Sequence, residues 1–66
     1  MLKKSNGYRA IVRALGSMTE DELKAAITTE LAEERRIAVV ERLHQRFTSV
    51  RARRERAELM KELETT

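Results

Sequence analysis

The chain has 66 residues, 41% of them apolar and 38% charged, with a net charge of +3, one histidine and no cysteine. This excludes disulfides and a cysteine-based zinc site, and leaves a core that offsets chain entropy only narrowly. No stretch approaches the ~20 apolar residues of a membrane span, so a soluble, cytoplasmic protein with no membrane contact is expected. The opening Met1-Leu2-Lys3-Lys4 begins like a secretion signal, but Arg9 and Arg13 interrupt the apolar run that should follow.

Proline is absent and the two glycines are Gly7 and Gly16. Fifty residues from Ser17 onward, rich in Ala, Glu, Leu and Arg, therefore lack a strong breaker and read as helix. No window alternates polar and apolar residues as a strand would. The expected fold class is all-α.

Ser5 or Asn6 can N-cap a first helix over about residues 7–15, with Tyr8, Ile11, Val12 and Leu15 at helical spacing. Gly16 follows where a left-handed C-cap belongs. The second start is better marked. Thr19 and Glu22 form a capping box, Met18 and Leu23 a hydrophobic staple, and Glu20, Asp21 and Glu22 place negative charge on the positive end of the helix dipole.

Beyond Thr19, Leu23, Ala26, Ile27 and Leu31 share one side of a helix, whereas Val40, Leu43, Phe47 and Val50 form a seam on nearly the opposite side. Leu59, Met60 and Leu63 swing back toward the first. Either the chain bends between Leu31 and Val40 into a helical hairpin, or one long helix packs helix 1 on one side and another chain on the other. Thr28-Thr29 and Thr48-Ser49 are the candidate interruptions. The reading favoured here is a second helix from about residue 20 and a long basic helix over about 30–63, the small bundle being completed by dimerisation. Val40, Leu43, Phe47 and Val50 are the expected dimer or partner interface.

Charge is blocked along the chain: net +4 over residues 1–16, −5 over 17–34, +6 over 35–56 and −2 over 57–66. Within the third block, Arg35, Arg42, Arg46 and Arg53 are spaced 7, 4 and 7 apart and would line up on one helix. With Arg51 and Arg56 they are the candidate contacts to nucleic acid or to an acidic protein. Their plainer explanation is a solvated flank paired with the acidic second helix. The modest net charge and the scarcity of aromatics for base stacking weigh against nucleic acid. Arg54 lies on the seam one step after Val50; it either fixes register between two chains or marks the seam's end. The departure of Leu59 and Leu63 from that face favours an end.

His44 borders the seam and reads as a surface residue, since a general base needs an oriented partner and a cleft. Glu41 and His44 have the i, i+3 spacing of a helical di-metal ligand pair, but a single copy does not make a site. Tyr8 and Phe47, the two aromatics, read as core anchors. In size and helical composition the chain resembles accessory proteins of phages and mobile elements, a likeness that rests on no particular residue. The expectation is a non-enzymatic helical module, acting as adaptor, inhibitor or regulator. It is expected as a homodimer with no cofactor, metal or small-molecule substrate. A protein partner is favoured, and a nucleic-acid-binding regulator is the alternative.

Overall fold

In a computed structural model of the chain, residues 7–65 are described. They form an all-helical structure of three helices: α1, Tyr8–Ala14; α2, Glu20–Ala32; and α3, Ile37–Thr65. Ser5 and Asn6, the expected caps of α1, lie outside the described residues. Gly7 holds the N-cap position, with its carbonyl accepting from Ile11 N–H at 3.1 Å.

Helix α1 does not end in a left-handed glycine. Gly16 has no positive φ, and the chain instead tightens into a 3-10 turn, Leu15–Ser17, closed by Met18 N–H donating to the Leu15 carbonyl at 3.3 Å. The side chain of Leu15, buried at the head of this turn, anchors it. At the next boundary the capping box forms as expected. Glu22 N–H donates to Thr19 Oγ1 at 3.1 Å, and Thr19 N–H donates to Glu22 Oε1 at 2.9 Å. The staple residues Met18 and Leu23 meet in one apolar cluster.

The bend lies between α2 and α3, so the long helix begins at Ile37 and not near residue 30. No glycine makes this turn. Arg35 takes the left-handed conformation, φ 56°, and its N–H donates to the Glu30 carbonyl at 2.7 Å. What stabilises the turn is Glu30, buried near the end of α2. Its Oε2 accepts from both the Arg36 N–H and Arg36 Nε at 2.9 Å, and its Oε1 accepts from Arg36 Nη2 at 3.0 Å. Because the Arg36 carbonyl accepts the first α3 hydrogen bond, from Val40 N–H at 3.0 Å, one carboxylate holds the turn and also satisfies an orphan donor at the start of α3.

Helices α2 and α3 run antiparallel as a hairpin, with Glu30 opposite Arg36 at the turn and Glu20 opposite Arg54 at the far end. Helix α1 lies against the first half of α3. The core is Leu15, Leu23, Val39 and Leu43, with Ile11, Met18, Ala26, Ile27, Phe47 and Val50 packed against it. Two positions differ from the sequence pattern. Val39 is buried and Val40 only partly so, and Leu31 stays 49% exposed because α2 stops one residue later.

The expected assembly seam is thus largely taken up within one chain: Leu43 is 2% exposed, with Phe47 and Val50 against it. A straight helix would have set the two apolar stripes back to back; the hairpin turns them face to face. Among the described residues the core ends at Val50; residues 51–65 are exposed throughout, with Arg54 reaching back to Glu20 of α2. The molecule measures 49 × 18 × 18 Å, with a radius of gyration of 14.6 Å. A compact chain of this length would have a radius near ~11 Å.

Candidate interaction surface on α3 and α1

The arginines of α3 and the preceding turn divide into those with intrachain work and those without. Arg36 and Arg54 are structural. Arg54 Nε donates to Glu20 Oε1 at 2.7 Å, Arg54 Nη2 to Glu20 Oε2 at 3.1 Å, and Arg54 Nη1 to Glu58 Oε2 at 3.2 Å. The hydrogen bond from Arg54 holds the Glu20 carboxyl below the usual carboxylate range, and the bond from Arg36 does the same for Glu30. Each arginine's own pKa is raised in turn, by hydrogen bonding to its acid. Arg54 therefore marks the end of the apolar seam within one chain, tying α3 to the first turn of α2.

Of the six candidate contact residues, three are engaged elsewhere. Arg35 sits in the turn and not on α3, its Nη1 at 3.5 Å from the Leu31 carbonyl. Arg46 is partly buried and reaches across to α1's end, Nη2 at 3.4 Å from the Gly16 carbonyl, with a buried Nε that has no hydrogen-bond partner. The guanidinium of Arg51 lies 5.6 Å from the centre of the Phe47 ring and pairs loosely with Glu55 at 3.9 Å. The other three, Arg42, Arg53 and Arg56, are exposed and form no ion pair among the described residues.

These three share a flank with Arg46. At about 100° per residue, Arg42, Arg46, Arg53 and Arg56 fall in a sector of roughly 80° beside the core-facing side of α3. Ser49 shares the sector, and no acid does before Glu64. The opposite flank is different, with His44 and Arg51 followed by Glu55, Glu58 and Glu62. The basic flank is the one next to α1, since Val12, Leu15 and Gly16 border one recess with Arg42, Gln45 and Arg46. On α1, Arg9 and Arg13 are exposed and lie roughly 60–100° round from Val12, turned outward from buried Leu15. The turn-by-turn line of Arg35, Arg42, Arg46 and Arg53 is therefore replaced by a broader face: Arg9 and Arg13 from α1, and Arg42, Arg53 and Arg56 from α3, with Arg46 at its inner edge.

The acidic helix does not neutralise this face. Of the α2 acids, Glu20 and Glu30 form ion pairs, and their partners are Arg54 and Arg36, neither of which belongs to the face. Spacing picks out Arg42 and Arg53 together with Arg35 and Arg46, and Arg56 only as a neighbour; where α1 lies depends on tertiary packing that the sequence does not display.

Two other features lack the marks of a chemical site. His44 is exposed, its ring tilted 31° to that of Phe47 with centres 6.5 Å apart. Among the described residues no group of three or more histidines and acids is placed to hold a metal. An open groove of about 260 Å³ between α1 and the hairpin is lined by Ala10, Ala14, Ala26 and Thr29, and its polar end, Glu30 with Arg36, is satisfied internally. At the far end of α3, Leu59, Met60 and Leu63 are 66%, 43% and 68% exposed, with the two leucines on the side away from the core. No helix among the described residues is long and apolar enough to cross a membrane. In comparisons with known proteins, no family model, curated protein or solved structure matches the chain.

Proposed function

We propose that this chain is a non-enzymatic helical interaction module that binds a macromolecular partner along α3, as an adaptor, inhibitor or regulator does. The observation that carries this reading is the exposed half of α3, which adds nothing to the core. Residues 51–65 are helical and exposed at every position, while the fold's core ends at Val50. An isolated helix of this length is marginal in water. Here it continues a helix already nucleated and anchored by the hairpin, so α1, α2 and the first half of α3 serve as a base that holds it out. A protein partner, including a second copy, has Leu59, Met60 and Leu63 available as an apolar anchor. Self-association through Leu43 would require opening the intrachain core.

The test is the double variant Leu59→Gln, Leu63→Gln in the full chain, followed by thermal melting at several protein concentrations. Glutamine keeps helix propensity, so the midpoint at low concentration is expected to stay within about 0.5 kcal/mol equivalent of the parent, as for an exposed site. A midpoint that collapses at low concentration would show that these leucines stabilise the monomer's own fold, and would overturn the reading.

A further inference from the structure

We infer that the arginine face formed by α1 and α3 is a binding surface for the phosphate backbone of double-stranded nucleic acid, with B-form DNA as the better fit. The inference rests on the proposal that α3 is the presented element, and names the partner class for its basic flank. Four observations carry it. Arg42, Arg53 and Arg56 are exposed and have no acid paired to them among the described residues, although α2 next door carries four carboxylates and Glu33 and Glu34 follow it. Arg9 and Arg13, exposed on α1, stand roughly 60–100° round that helix from Val12, which borders the recess beside Arg42 and Arg46. All of these cations are arginines, whose planar fork binds phosphate oxygens in pairs. Finally, the row from Arg42 to Arg56 spans fourteen residues, roughly 21 Å of helix axis.

The character of the flank decides between partner classes. A protein interface is organised around a desolvated apolar centre with charges at its rim. Between Arg42 and Arg56 this flank holds Arg46, Ser49 and Arg53, and the large apolar side chain of the sector, Met60, stands a turn beyond them, so an acidic protein would find charge without a centre among the arginines. A nucleic-acid backbone requires no such centre, because release of its condensed counterions supplies the affinity. Single strands fit less well, since binding them relies on a series of stacked aromatics; Phe47 is packed against the core, and Tyr8, expected in the core but exposed beside Arg9, offers a single ring. A helix about 10–12 Å across can lie along one phosphate wall of the B-DNA major groove, about 12 Å wide, with its basic flank on the wall and Glu55, Glu58 and Glu62 turned to solvent, whereas the A-form major groove of RNA is too narrow for it.

The experiment titrates the full chain into a fluorescent DNA duplex of about 20 base pairs, a matched RNA duplex and labelled polyglutamate, at about 50 and 200 mM salt. With three to five phosphate contacts, the fourfold rise in salt should weaken DNA binding by roughly 40- to 500-fold. Replacing two of those contacts in Arg53→Gln, Arg56→Gln should lower the salt slope by about 2. Neither side chain forms an ion pair among the described residues, so the fold should be retained. Arg51→Gln, on the opposite flank, should leave both affinity and slope near the parent values. The RNA duplex should bind more weakly than DNA.

Absence of duplex binding at the lower salt would overturn the inference, as would equal losses from Arg51→Gln and the double variant. Tighter binding to RNA would overturn the placement in a B-form groove. Preference for polyglutamate over both duplexes would overturn the nucleic-acid assignment while leaving the presented helix standing. Conversely, collapse of the Leu59→Gln, Leu63→Gln variant at low concentration would remove the presented helix without touching a phosphate contact of the full chain.

Discussion

The two halves of α3 are one continuous helix in contrasting surroundings. Residues 37–50 bury Val39 and Leu43 and pack Phe47 and Val50 against α2 and α1, whereas residues 51–65 bury nothing. The first half owes its stability to tertiary contacts, and the second to continuity with the first and to local pairs such as Arg54 with Glu58. The difference shows that helix content and fold are separate quantities in this chain. Much of α3 can change without disturbing the core, and a few residues of the hairpin cannot.

Substitutions should divide along the same line. The largest effect is expected from Leu23→Ala, which empties a fully buried position and should cost about 3 kcal/mol in a denaturant titration. In a chain this small that is much of the total stability. Next comes Glu30→Gln, which weakens the charge-assisted clamp at the turn and should cost about 1–2 kcal/mol.

The same clamp fixes the sign of the acid response. The folded-state pKa values of Glu30 and Glu20 lie below their unfolded values, so the unfolded chain takes up protons first as the pH falls. The stability contributed by these pairs is complete above the unfolded value, about 4.3, and is lost as pH drops from there through the folded values. Melting curves across that window should show it, and Glu30→Gln should blunt the fall.

A smaller effect of opposite sign is expected at the turn. Arg35→Gly removes the strain of a left-handed non-glycine residue, and part of that gain is offset by added chain entropy, leaving about 0.5 kcal/mol of stabilisation in a denaturant titration. Last comes the Leu59→Gln, Leu63→Gln pair on the exposed half, with a change near zero. If it matched Leu23→Ala, the contrast between the halves would be wrong.

The helical class, the capping box at Thr19 and the staple of Met18 with Leu23 were legible because each is written in neighbouring residues. The bend was legible only as a conflict between two apolar stripes. Its position was hidden because the chain makes the turn with Arg35, a residue that carries no turn signal, and secures it with Glu30 and Arg36, whose spacing of six has meaning only once the helix has stopped. The seam of Leu43, Phe47 and Val50 is legible as apolar but its occupant is not, because periodicity reports that a face is covered and not by what. For the arginines, spacing puts Arg42 and Arg53 in one line with Arg35 and Arg46. It could not show Arg46 bent toward Gly16, Arg51 over Phe47, or Arg9 and Arg13 brought alongside, since all of these depend on where α1 docks.

The rod-like outline has a practical consequence for judging self-association. A particle nearly three times as long as it is wide experiences more friction than a sphere of equal mass, so it leaves a gel-filtration column early and can pass for a pair of molecules. Equilibrium sedimentation depends on mass and not on shape, and for this protein it is the reading to trust.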